Sequence, residues 1–77
     1  MTDREITDRI KAVALDRTGV GLDDACDLKA SGLDSLSLVV LIAGIEDELG
    51  ITFDDGDLQP ENITTLADLT ALTGKYL

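Results

Sequence analysis

One stretch in the middle of this 77-residue chain decides the fold; it reads Asp27-Leu28-Lys29-Ala30-Ser31-Gly32-Leu33-Asp34-Ser35-Leu36. Asp34 and Ser35 carry short side-chain oxygens that accept hydrogen bonds from free backbone N–H groups, so both favour the start of a helix. Gly32 lets the chain turn just before that start. The apolar residues that follow keep helical spacing: Leu38, Leu41, Ile42, Ile45 and Leu49. We therefore predict a helix that begins at Asp34-Ser35 and ends at Gly50.

Two further helices are predicted on either side of this one. Thr2 and Glu5 have the spacing of a capping box, and the first helix should run to about Thr18. Thr65 and Asp68 have the same spacing and open a last helix, whose apolar face is Leu66, Leu69, Leu72 and Tyr76. Residues 54–57 are expected to form a short loop and residues 58–62 one helical turn.

A long loop is predicted over residues 19–33, with Val20, Leu22, Leu28 and Leu33 anchoring it in the core. Loops of this length are unusual in small domains and are often functional. Cys26 in this loop is expected to be an ordinary structural residue. The predicted fold is an all-α four-helix bundle, with three main helices and one short helix, in a single domain over residues 1–77.

Composition excludes several classes of function. Sixteen acidic residues face six basic ones, for a net charge of −10, so nucleic acids and anionic membranes are disfavoured partners and basic protein surfaces are favoured ones. A single cysteine and no histidine exclude an intrachain disulfide and the usual zinc sites. With no signal peptide and no long apolar run, we expect a cytoplasmic protein. We also expect it to be a monomer and to have no resident metal.

Ser35 is the candidate functional residue. A serine at a helix start is reachable and lies where free N–H groups favour an anion, although the Asp34 carboxylate opposes an added negative charge. A plain helix-capping role is the alternative. A serine hydrolase is excluded, because the chain has no histidine to act as a base and lacks a Gly-x-Ser-x-Gly motif.

The order of elements resembles the acyl and peptidyl carrier protein family over nearly the whole chain. The most specific part of the resemblance is the string from Gly32 to Leu36, which sets Asp-Ser-Leu at the head of the second helix. The resemblance implies that Ser35 carries 4′-phosphopantetheine, moved there from coenzyme A by a phosphopantetheinyl transferase that reads Asp34. It also implies a carrier that is not itself an enzyme and holds acyl or aminoacyl groups as thioesters.

The same resemblance suggests partners for the carrier. They are an acyl- or aminoacyl-loading enzyme and a synthase, acyltransferase or tailoring enzyme with a basic docking surface. By resemblance we expect a discrete carrier in polyketide or related specialised metabolism. Two positions depart from family patterns, and the second weakens assignment to modular peptide synthetases without excluding a free-standing aminoacyl carrier. Val40 is apolar where many fatty-acid carriers have an acidic residue, and Ser31-Gly32-Leu33 differs from the two glycines usual in modular peptide synthetases. The rival interpretation is an unmodified acidic interaction module.

A partner interface is predicted from charge and apolarity. Between Ala30 and Gly74 there are nine acidic residues and no basic ones. The docking candidates among them are Glu46, Asp47, Asp54, Asp55 and Asp57. Leu36 and Val40 are predicted to add an apolar part to this interface; packing of Val40 beneath the long loop is the alternative.

Overall fold

Three α-helices form the fold in a computed structural model that describes residues 2–23 and 27–77, apart from the side chain of Pro60. They are α1 (Asp3–Thr18), α2 (Ser35–Leu49) and α3 (Leu66–Gly74), and two short 3-10 helices, Asp55–Asp57 and Pro60–Asn62, lie between α2 and α3. Within the described ranges there is no strand, only an isolated bridge between Asp27 and Thr65. The predicted all-α fold with three main helices is confirmed, and the predicted short helix lies in the segment that holds the two 3-10 helices. Cys26 lies outside the described residues.

The helix ends are those that the capping residues predict. The Thr2 hydroxyl accepts a hydrogen bond from the Glu5 amide, and the Glu5 carboxylate reaches back to the Thr2 amide. The same reciprocal pair opens α3 at Thr65 and Asp68. Gly50 ends α2 with φ at 66°, a left-handed conformation that residues with a Cβ rarely adopt.

One apolar face of each helix meets in a common core. The buried residues are Ile6, Ile10, Val13 and Ala14 of α1, Leu41, Ile42 and Ile45 of α2, and Leu66, Leu69 and Leu72 of α3. Full burial of such an aliphatic side chain stabilises the folded state by about 1.5–3 kcal/mol relative to exposure. Phe53 and Ile63 complete the core from the segment between α2 and α3.

The loop between α1 and α2 is fixed to the core at its second half. Leu28 and Leu33 are only 2% and 3% exposed, and the Leu28 amide donates a 3.0 Å hydrogen bond to the Thr64 carbonyl. Val20 and Leu22 are partly buried against the same core. The four predicted anchors are therefore confirmed, and the loop is tied to the start of α3.

The segment between α2 and α3 differs in two details from the sequence-based expectation. Residues 55–57 form a 3-10 helix rather than a plain loop, because the Asp54 carboxylate accepts a hydrogen bond from the Gly56 amide at 3.3 Å. The expected helical turn over 58–62 is the 3-10 helix Pro60–Asn62.

Tyr76 also differs from expectation, because it lies beyond the end of α3 instead of on its apolar face. Its ring packs edge-on against Phe53 with the centroids 5.1 Å apart. Its hydroxyl donates to the Asp57 carboxylate and accepts from the Asp54 amide, and the bond to Asp57 raises the pKa of Tyr76. The C-terminal turn thus holds the first 3-10 helix in place.

Gly44 of α2 lies close against α1. A Cβ at this position would lie 2.6 Å from Cγ1 of Val13 and 3.2 Å from Cγ of Arg17, so only glycine fits without a shift. Two exposed ion pairs join the same helices, Arg9–Glu48 at 3.1 Å and Arg17–Asp47 at 3.3 Å. Exposed pairs of this kind contribute about 0–1 kcal/mol each.

We expect Gly44→Ala to lower the free energy of unfolding by about 1 kcal/mol, because overpacking costs about 1–3 kcal/mol and exceeds the gain in helix propensity. Urea unfolding followed by circular dichroism measures this change. The matched control is Gly21→Ala, where an added Cβ meets nothing within 4 Å, and its stability should stay near that of the parent. The loss of stability caused by Gly44→Ala should be smaller in a Val13→Ala background than in the parent. A more stable Gly44→Ala protein would contradict the close approach.

Candidate functional site

Ser35 is the first residue of α2, and its side chain is exposed to solvent. The chain leaves the core at the buried residue Leu33, after a turn in which Gly32 has φ at 101°. Asp34 caps α2: its carboxylate accepts a 2.7 Å hydrogen bond from the Ser37 amide. Within the described part of the chain, no hydrogen bond engages the Ser35 hydroxyl. The capping role therefore belongs to Asp34, and Ser35 presents an unused hydroxyl.

The Asp34 carboxylate is charged under ordinary conditions. The hydrogen bond from the Ser37 amide is the main cause that lowers the pKa of Asp34 from the usual 3.8, and the Ser37 side chain adds to it. A negative charge at a helix start also meets the positive end of the helix dipole favourably. A fixed anion thus stands directly beside the Ser35 hydroxyl.

A recess of about 230 Å³ lies beside Ser35, between the loop, the start of α2 and the segment before α3. Leu28, Leu33, Leu38 and Ile63 form its apolar walls, and Lys29, Asp34 and Ser35 form the polar part. We call it the Ser35 recess. It is smaller than a typical ligand pocket of about 300–1,000 Å³. It can shelter part of a flexible group but cannot enclose a substrate for catalysis.

A second depression continues along α2, and we call it the α2 groove. It measures about 250 Å³ and is lined by Leu38, Val39, Ile42, Ala43, Glu46, Leu58 and Ile63. Leu38 and Ile63 belong to the walls of both depressions. An apolar path therefore leads from Ser35 towards Glu46, about 16 Å farther along the helix axis.

An apolar strip lies on the open surface of α2 next to Ser35. Its members are Leu36, Val39 and Val40, which are 74%, 64% and 38% exposed. Residues spaced by three and four positions share one helix face, so the three side chains are neighbours. With this exposure Val40 is not covered in the way that a core residue is.

The acidic residues that the sequence assigns to docking have different surroundings in the structure. Glu46 borders the α2 groove and accepts a 2.8 Å hydrogen bond from the Phe53 amide. Asp47 lies on the α1 side, paired with Arg17. Asp54 caps the first 3-10 helix, Asp57 is bound to Tyr76 and Lys75, and Asp55 is exposed. Four of the five therefore already have intramolecular partners.

Three residues of this region were not singled out from the sequence. Lys29 and Ile63 line the Ser35 recess, and Val39 belongs to the exposed strip. Lys29 carries a readable signal, because it is the only basic residue between Arg17 and Lys75. Ile63 has no such signal, since its position depends on how the irregular segment after α2 folds back.

Comparison with known proteins assigns the class. Residues 8–73, which include Ser35, match the family described as phosphopantetheine attachment site. The chain is 34% identical over 77 aligned residues to the acyl carrier protein of Thermotoga maritima, covering 95% of this chain and 93% of the relative. It is also 34% identical to the acyl carrier protein of Saccharopolyspora erythraea, covering 95% and 79%. A third acyl carrier protein, from Nitratidesulfovibrio vulgaris, is 33% identical over 58 residues, covering 70% of this chain and 76% of the relative.

The chain belongs to the acyl carrier protein family. Its members carry a covalently attached phosphopantetheine group and serve partner enzymes without catalysing a reaction themselves. Within the described residues, no helix is long and apolar enough to cross a membrane.

We expect Asp34→Ala to lower the melting temperature of the unmodified protein by roughly 4–8 °C at pH 7, because α2 loses its cap. Since the pKa of Asp34 is lowered in the folded state, its charge stabilises the fold above the unfolded value of 3.8, and that stabilisation is lost as the pH falls through the lower folded value. The difference between parent and variant should therefore shrink in melts recorded below about pH 4.

Asp34→Asn is the matched control for the cap. Its amide oxygen can still accept from the Ser37 amide, so it should recover most of the loss at pH 7 without the acid-dependent part. If Asp34→Ala melts at the parental temperature across the whole pH range, the carboxylate does not hold the helix start.

Proposed function

We propose that Ser35 is the attachment point of the phosphopantetheine arm. The observation that carries this proposal is the exposed, unengaged hydroxyl at the first position of α2, beside a cap that Asp34 already provides. The Ser35 recess fits the group that would be attached. It lies beside the Ser35 hydroxyl, it has one cation for the phosphate, and it has apolar walls for the arm. A transferase could reach this oxygen without unfolding any element.

The attachment requires a second protein and coenzyme A. The Ser35 oxygen forms a bond to the phosphorus that bears the pantetheine arm, and the bond from that phosphorus to the adenosine-bearing phosphate breaks. The hydroxyl proton passes to a base of the transferase, and the nucleotide leaves with the electron pair. This chain contributes the nucleophilic oxygen and its fixed position, while the transferase supplies the base.

The loaded protein would act by presentation. The thiol of the arm carries the cargo as a thioester, and a partner enzyme supplies the base and the oxyanion-stabilising donors. Attachment to a carrier raises the effective concentration of cargo at a bound partner to about the millimolar range for a short flexible link. The small recesses agree with this role, because they leave the reacting end of the arm to the partner.

For the cellular role we propose a cytoplasmic carrier in polyketide or related specialised metabolism, loaded with acyl or aminoacyl groups. Support comes from the apolar Val40, which is exposed beside Leu36 on α2. An enzyme whose docking surface pairs a basic residue with an acidic one at this position would lack that ion pair with this chain. An unmodified acidic interaction module remains the second candidate, favoured by the net charge of −10.

We propose further that partners dock on the start of α2. Leu36 and Val40 would supply the apolar contact, with Val39 between them. Asp55 and Glu46 would meet basic residues at the rim, and Asp47, Asp54 and Asp57 would add to the negative field while keeping their internal bonds. Exposed ion pairs of this kind are weak, which suits a carrier that must leave each partner quickly.

Attachment at Ser35 is tested with coenzyme A and a broad-specificity phosphopantetheinyl transferase, followed by intact mass measurement. The parent should gain the mass of one phosphopantetheine group, and Ser35→Ala should gain none. Ser31→Ala is the matched control, because it removes another nearby serine, one whose hydroxyl bonds the Asp27 carbonyl instead of Asp34, and it should be loaded. An unchanged parental mass in a folded sample would favour the unmodified interaction module.

The apolar docking surface is tested with Val40→Glu and the same transferase. Because the strip would lose an apolar contact and gain a charge, we expect the KM for the carrier to rise about fivefold or more, with a smaller change in kcat. Leu15→Glu is the matched control, since Leu15 is 61% exposed on α1. Equal kinetics for Val40→Glu and the parent would remove Val40 from the interface with this partner.

A further inference from the structure

Lys29 lies in the loop between α1 and α2 and is exposed to solvent. Within the described residues its ammonium group forms no ion pair, although it is the only basic residue between Arg17 and Lys75. Other basic side chains have carboxylate partners, as the following pairs show: Arg4–Asp8, Arg9–Glu48, Arg17–Asp47 and Lys75–Asp57. The positive charge of Lys29 therefore remains available to an anion from outside the chain.

The backbone holds Lys29 at a defined position. Its amide donates a 2.9 Å hydrogen bond to the Asp27 carboxylate, and its carbonyl accepts a 3.2 Å bond from the Gly32 amide. Leu28, the residue before it, is buried in the core. The root of the Lys29 side chain is thus fixed, and only the flexible stem moves in solvent.

The Lys29 side chain lines the same recess as Ser35 and Asp34. A phosphodiester on Ser35 would bring a second negative charge next to the Asp34 carboxylate, and two like charges at this distance repel each other. Among the described residues that line this recess, Lys29 is the only cation. It is therefore the one side chain placed to offset the repulsion.

We propose that Lys29 is the counter-ion of the phosphodiester that links the arm to Ser35. The inference rests on the attachment at Ser35 proposed above. In this arrangement Lys29 orients the root of the arm towards the apolar walls of the recess instead of leaving the phosphate in open solvent. Through Lys29, the loop between α1 and α2 would bind the phosphate of the arm, whether or not a partner enzyme is present.

The test compares the unmodified and the loaded forms of the parent, Lys29→Gln and Lys75→Gln. Both variants remove one positive charge, but Lys75 pairs with Asp57 near the C-terminus and does not line the recess. Relative to the parent, the change in melting temperature on loading should be less favourable by about 1–4 °C in Lys29→Gln and unchanged in Lys75→Gln. The effect should shrink in about 1 M NaCl, where the Debye length falls to about 3 Å.

Nuclear magnetic resonance gives a direct second readout on the loaded protein. We expect a nuclear Overhauser effect between the Lys29 ε-methylene protons and the arm's methylene next to the phosphate. The phosphorus resonance should move in Lys29→Gln but not in Lys75→Gln, and Lys29→Arg should keep the parental behaviour because the charge is retained.

The outcomes separate this inference from the attachment itself. If mass measurement places the arm on Ser35, but the three proteins respond equally to loading and the Overhauser effect is absent, the counter-ion role is wrong and the attachment stands. If no arm is attached to the parent, the proposed function fails and the counter-ion role fails with it.

Discussion

The hydrogen bond from the Leu28 amide to the Thr64 carbonyl, with the burial of Leu28 and Leu33 around it, fixes the start of α2 in this protein. Without this hydrogen bond and this burial, the end of the loop between α1 and α2 would not be held against the core, and the position of Ser35 would vary with the loop. An exposed hydroxyl is ordinarily mobile. Here the residue two positions before it is a core residue, and the residue directly before it caps a helix. The backbone that carries this surface group is therefore held by the core on one side and by a helix cap on the other.

The acidic residues serve the fold as well as the surface. Glu46 holds the Phe53 amide, Asp34 and Asp54 cap helices, and Asp57 holds Tyr76 and Lys75. A carboxylate that accepts a backbone N–H satisfies a donor that would otherwise need water, which explains why so acidic a chain can still close its turns. The net charge of −10 is thus not only a means of attracting basic partners. It results in part from building helix caps with aspartate.

The sequence predicts the helices well because all three have a local signal at the start, and α1 and α2 also have one at the end. The capping boxes at Thr2 and Thr65, the cap at Asp34 and the glycines at 19 and 50 are all used as local rules expect. The segment after α2 is less predictable, because its 3-10 turns and the fold-back of Tyr76 depend on contacts with residues distant in the sequence. For the same reason Ser35 could be singled out from its neighbours, whereas the recess beside it could not. Its walls come from the loop, from α2 and from Ile63.

The close contact at Gly44 has a mechanical consequence for α2. At Gly44 the backbone lies so near Val13 and Arg17 that an added Cβ would overlap them, so α2 cannot move closer there and loses packing if it moves away. On its other side, the two depressions leave about 230 and 250 Å³ unfilled. At Gly44, therefore, α2 has no room for a larger side chain towards α1, whereas the surface towards Leu58 and Ile63 has unfilled space next to the helix.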